Sequence, residues 1–122
     1  MLLAFRENER NEKEKTTMNL KAWELQANET LLEEASASYI TKRLGFMPKA
    51  NPGKLHITDQ RVVFTAGFSL FFDYPLNEII SFSTGMGNTI TLTTTDGKTS
   101  KITGMFNKKL IQALERAGVK KA

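Results

Sequence analysis

Residues 53–64 read GKLHITDQRVVF, two apolar runs separated by four polar residues. Leu55 and Ile57 alternate with Lys54, His56 and Thr58, the period of a strand with one buried face, and Val62, Val63 and Phe64 form a second β-prone run. Thr58-Asp59-Gln60-Arg61 then forms a tight turn, so the two strands pair antiparallel. Asp59 is suited to accept backbone N–H bonds in that turn, and Arg61 to pair with Asp59 or with free carbonyls, a structural role that needs no ligand. His56, flanked by Leu55 and Ile57, points away from the core to the surface.

The same texture runs outward on both sides. From about Leu31, short runs rich in threonine, valine, isoleucine and phenylalanine are broken every eight to twelve residues by glycine, proline, asparagine or aspartate. This spacing predicts seven strands, at 31–42, 53–59, 61–67, 71–75, 78–83, 89–95 and 99–105, pairing as an antiparallel meander. Parity tests the sixth and seventh: a two-residue turn at Asp96-Gly97 opposes Leu92 to Lys101, whereas a three-residue loop with a left-handed glycine opposes Leu92 to Ile102 and keeps the threonines in water. The second arrangement is expected. The chain closes with FNKKLIQALERAG, a helix with Asn107 as N-cap, Gly118 as C-terminal stop, and Leu110, Ile111, Leu114 and Ala117 on one stripe. Phe106 is placed to staple against Ile111, and the stripe to plug the open end of the curved sheet.

A chain of 122 residues has room for one such domain. Residues 1–27 read as a polar, partly ordered extension and 28–122 as the domain. Within the extension, RENERNEKEK at 6–15 has no apolar side chain to bury, although Arg6 with Glu9 and Arg10 with Glu14 are spaced to support a solvated helix. Met18 is an alternative start. No apolar run approaches the length of a membrane span, and MLLAF at 1–5 is too short for the core of an export signal, so the cytoplasm is the expected location. With no cysteine there are no disulfides and no thiolate chemistry. The net charge of +4 is concentrated after residue 97, where seven cations face the lone anion Glu115.

Catalysis finds little support. The only histidine, His56, has no serine or carboxylate at a suggestive spacing, Glu33-Glu34 has no metal-ligand spacing, and no glycine-rich phosphate loop precedes a helix. A non-enzymatic protein without metal, cofactor or small-molecule substrate is expected. Nucleic-acid binding would rest on the C-terminal lysines alone, with Trp23 insufficient as a stacking platform.

Gly53 to Phe64 resembles the hallmark of GRAM domains, a branch of the pleckstrin-homology-like superfamily: a glycine, a short apolar strand, Thr-Asp, an arginine and an apolar strand ending in phenylalanine. YPLNEIISFS at 74–83 is similar to the element that follows in that family, and the TTDGK hairpin and final helix come in the expected order, so the resemblance covers about residues 28–118. It implies a mainly β, PH-like barrel of about seven antiparallel strands capped by one amphipathic helix. It also implies binding without catalysis, to anionic lipids in some members and to proteins in others.

Two surfaces are candidates for that binding. KRLGFMPKANPGK at 42–54 sets Lys42, Arg43, Lys49 and Lys54 around Leu44, Phe46 and Met47, a loop suited to rest cations on lipid phosphates and insert apolar side chains at the inner membrane surface. Lys108 and Lys109, at the positive end of the helix dipole, are further anion candidates. AGFSLFFD at 66–73 places Phe68, Leu70 and Phe71 where turns are normally polar; exposed, they mark a protein or homo-oligomer interface, and the alternative is that glycine and serine let all three fold inward. The interaction surface ranks ahead of the membrane loop because the basic residues are widely spaced.

Overall fold

A computed structural model describes residues 22–42 and 47–122. The expectations for residues 6–15, Met18, Arg43, Leu44 and Phe46 lie outside the described residues, as does the side chain of Lys42.

Seven strands form one antiparallel sheet: β1 Leu31–Lys42, β2 Pro48–Thr58, β3 Arg61–Ala66, β4 Ser69–Pro75, β5 Ile79–Gly85, β6 Thr89–Thr94 and β7 Thr99–Thr103, followed by helix α1 Asn107–Arg116. Their order across the sheet is β4-β3-β2-β1-β7-β6-β5. The simple meander is therefore broken once. β4 and β5 are consecutive in sequence but stand at opposite ends of the sheet, because Pro75 and the 3₁₀ turn Leu76–Glu78 end β4, while β1 pairs with β7 through Tyr39 and Ile102. The two halves meet again where the Tyr74 hydroxyl lies 2.8 Å from Ser100 Oγ.

β2 starts five residues earlier than the sequence suggested. Its first half, from Pro48 to Gly53, pairs only with β1, and its second half, Lys54 to Ile57, pairs with β3 as well. The unpaired side explains how a strand tolerates Pro48 and Pro52. At the changeover, a Cβ on Gly53 would sit 2.1 Å from the Thr65 carbonyl oxygen, so only glycine lets β2 and β3 approach there.

One face of the curled sheet carries the core, with Leu55, Ile57, Phe64, Phe82, Ile90, Leu92 and Ile102 fully buried. Helix α1 lies against β1, β2 and β6 and adds Leu110, Ala113 and Leu114, with Ile111 and Ala117 at the margin. The β6–β7 connection is a three-residue loop, Thr95 to Gly97, with Gly97 at φ +83°. Its placement differs from expectation by one residue: Leu92 faces Ser100, and Ile90 faces Ile102. Loop length and glycine conformation hold, and the register follows Thr94, whose N–H donates to the Lys98 carbonyl.

The helix start also differs. Phe106 occupies the N-cap position without a side-chain cap, whereas Asn107 is buried and its amide donates to the carbonyls of Asn88 and Ile102, pinning the β5–β6 turn to β7. Gly118, at φ +91°, ends the helix as expected, with the Val119 N–H on Leu114 O and its own N–H on Glu115 O. The tail then runs beside β5: the Phe82 N–H donates to Lys120 O and the Ala122 N–H to Phe82 O, both at 2.8 Å. This covers part of an otherwise free strand edge.

Candidate functional site

The turn at Thr58–Arg61 does much more than join two strands. Residues 22–30 run as an irregular strap over His56 and the turn, and the turn clasps it. Thr58 Oγ1 accepts from the backbone N–H groups of Gln60 and Arg61, at 3.0 and 2.9 Å, and donates to Glu29 Oε2 at 2.7 Å. Asp59 and Thr30 exchange bonds: the Asp59 N–H donates to Thr30 O and the Thr30 N–H to Asp59 Oδ1, each at 3.0 Å. Gln60 Nε2 donates to Asn28 O at 2.8 Å.

Arg61 is the centre of the clasp. Its Nε and Nη2 meet the two oxygens of Glu29 at 2.8 and 3.0 Å, Nη1 meets Asp73 at 2.7 Å, and Nη2 also donates to Glu24 O at 2.7 Å. Of the two expected kinds of partner for Arg61, it takes a free carbonyl, that of Glu24, and not Asp59, and it adds the carboxylates of Glu29 and Asp73. The Glu29 side chain is fully buried, and the Arg61 hydrogen bonds, opposed by burial, hold its carboxyl down at about 2. The indole of Trp23 lies over the guanidinium, 5.3 Å from its carbon to the ring centroid.

The same indole packs on His56 with ring centroids 4.4 Å apart and planes tilted by 39°, which corrects the expectation of a surface histidine. His56 does face away from the main core, opposite Glu34 and Val63 in register, but the strap covers it and leaves it 3% exposed. Its Nδ1 lies 2.7 Å from Glu34 Oε2 and its Nε2 2.9 Å from Thr65 Oγ1. Burial lowers the imidazole pKa, more than the Glu34 carboxylate raises it, so the ring is neutral at pH 7. One signal foretold this. Val62, Val63 and Phe64 are all fully buried, and three consecutive buried apolar residues mean that both faces of β3 are covered.

Between strap and hairpin tip lies a cavity of about 680 Å³, lined on the strap side by Trp23 and Leu25 and on the sheet side by Leu31, Glu34, Thr65 and Phe68. Sequence reasoning did not find it, because its walls lie far apart in the chain.

The basic candidates are dispersed. Lys49 and Lys54 are both exposed on β2, but five residues apart, so the strand directs them to opposite faces. Met47 is 83% exposed beside Lys49. Lys108 and Lys109 are exposed in the first turn of α1. Asp96 is structural: its Oδ1 accepts from Thr94 Oγ1 and the Lys98 N–H, and the Thr94 bond is the main cause of its lowered pKa. The apolar candidates are displayed together. Phe68, at the Gly67-Phe68 turn, is 75% exposed, Leu70 48% and Phe71 38%, while Phe72 takes the buried position; the inward-folded alternative is excluded. Phe68 precedes β4 and Leu70 and Phe71 lie within it, and the outer edge of β4 has no pairing strand among the described residues.

Among the described residues no cluster of three or more histidine, cysteine or acidic side chains is arranged to hold a metal, and no helix is long and apolar enough to cross a membrane. No protein-family profile matches the sequence, and no curated protein matches it. Solved structures do. The C-terminal domain of an unknown protein from Leishmania infantum is similar at 24% identity and TM-score 0.57, over 75% of this chain and 85% of that one. The PH domain of human pleckstrin homology domain-containing protein family A member 5 is similar at 8% identity and TM-score 0.57, over 82% and 87%. The linker-DH/PH structure of p115-RhoGEF is similar at 13% identity and TM-score 0.56, over 78% of this chain and 31% of that one. At these identities the likeness concerns architecture: seven antiparallel strands in one sheet with a C-terminal helix, in short a pleckstrin-homology-like fold.

Proposed function

We propose that this chain is a non-catalytic protein-interaction module of the GRAM type, acting in the cytoplasm, whose β3–β4 hairpin is the docking surface and which self-associates through it. The observation that carries the reading is the joint exposure of Phe68, Leu70 and Phe71 at the edge of β4 that has no pairing strand among the described residues. Water-exposed aromatic and aliphatic side chains grouped on one hairpin mark an interface, and an unpaired strand edge adds backbone donors and acceptors to it. The other end of the sheet is treated oppositely, with β5 backed by the chain's own tail. The GRAM assignment rests on Gly53, Thr58, Asp59 and Arg61, each with a structural role of its own. Light scattering across a concentration series tests the proposal. Mass should rise above that of one chain and return to it in Leu70→Asp; a strict monomer at all concentrations would overturn self-association.

A second reading is favoured by Met47 and Lys49, exposed side by side at the β1–β2 tip. In it the tip docks on anionic membrane. Co-sedimentation with anionic but not neutral vesicles, weakened by salt and abolished by Met47→Asp with Lys49→Glu, is the expected result.

A further inference from the structure

We propose that the cavity between the strap and the β3–β4 hairpin seats a cationic side chain, an arginine or lysine presented by a partner polypeptide. The volume of about 680 Å³ is that of a ligand-sized cleft, and its lining combines aromatic and aliphatic walls with carboxylates and, among the described residues, no cation. Glu34, its side chain 39% exposed, and the exposed Glu24 both belong to that lining. Glu34 is held in place by His56, which burial keeps neutral, so its charge stays available. Among the described residues no lysine or arginine pairs with it. Arg61 is committed to Glu29 and Asp73, and Lys54, opposite Ser36 and Thr65 in register, is outside the lining.

Trp23 and Phe68 supply aromatic surface beside the carboxylate, a pairing that favours guanidinium and alkylammonium groups over small hydrated ions. Trp23 is held by its tilted packing on His56 and by Arg61. The occupant belongs to a polypeptide because Leu25 and Phe68, 44% and 75% exposed, extend the wall to the surface, where flanking apolar residues of a partner cover them. Since Phe68 is shared with the docking hairpin, this inference rests on the proposed interaction role and names the chemistry of the segment that docks.

The sole tryptophan lies on the cavity wall, so its fluorescence reports occupancy. The probes are capped Phe-Arg dipeptide and its Phe-citrulline counterpart, equal in size but neutral. Phe-Arg should change Trp23 emission saturably, with Phe-citrulline about tenfold weaker, and Glu34→Gln should weaken Phe-Arg by about tenfold while keeping an acceptor for His56. No saturable response to Phe-Arg, equal affinity for the two peptides, or an unaltered affinity in folded Glu34→Gln would overturn the proposal. The peptide pair decides on the wild-type chain even if the variant does not fold. Light scattering on the same samples reads self-association separately: a chain that stays monomeric yet binds Phe-Arg overturns the self-association reading alone, and a chain that self-associates but gives no response to Phe-Arg overturns the cavity site alone.

Discussion

The turns at Thr58–Arg61 and Gly67–Phe68 lie at the two ends of β3 and invert the usual relation between polarity and exposure. The first is polar and half-buried: it encloses a fully buried carboxylate, two-point guanidinium bonds and four strap carbonyls or N–H groups. The second is apolar and open, its phenylalanine 75% exposed. Burying charge is tolerable only where partners are complete, and exposing a large aromatic is tolerable only where little stability depends on it. Stability is therefore expected to reside at the clasp, and interaction at the tip.

The strongest way to break this contrast is Glu29→Gln. It leaves the Arg61 guanidinium short of its buried counter-charge and should cost about 3 kcal/mol in urea unfolding. Phe68→Asp at the other turn should change stability by less than about 0.5 kcal/mol. Equal losses at the two sites would refute the division.

Acid probes the same asymmetry with a definite sign. Glu29 is depressed in the fold from 4.5 to about 2, so its stabilisation is full above the unfolded value and drains as pH falls through that interval. His56 is also depressed from 6.5 because the neutral ring is the buried form, and protonation of the unfolded chain lowers stability as pH drops below 6.5. Urea midpoints should therefore fall between pH 7 and pH 3, and Glu29→Gln should flatten the part below 4.5. A midpoint that rises with acid would contradict both assignments.

Smaller effects sharpen the picture. Arg61→Lys keeps the charge but loses the fork that spans Glu29 and reaches Asp73, with an expected cost of about 2 kcal/mol and a red shift of Trp23 emission as the strap loosens. Gly97→Ala, at φ +83°, should cost about 1 kcal/mol and leave Trp23 emission unchanged, since it strains a loop remote from the clasp.

Much of the fold was legible in local pattern. Period-two alternation placed the seven strands to within a few residues except at the start of β2, and Gly97 and Gly118 marked the loop and helix end where they occur. The candidate site was legible only at its fringe. Phe68, Leu70 and Phe71 announced themselves because they break the polarity of a turn. The clasp did not, because Arg61 reads as a local turn residue and its buried partner Glu29 lies 32 residues away. Asn107 misled for a related reason: an asparagine before a helix has an N-cap available locally, but here the carbonyls of Asn88 and Ile102 outcompete it.

By itself, the sequence determined which segments are strands, which face of each is apolar, and where the chain turns, because these follow from side-chain alternation and backbone preference over a few residues. The joining of β1 to β7, the burial of His56 and Glu29 under the strap, and the extension of β2 back to Pro48 along β1 came from the folded chain alone. Those outcomes depend on long-range pairing and on which polar groups find partners once water is excluded, and no local pattern records them.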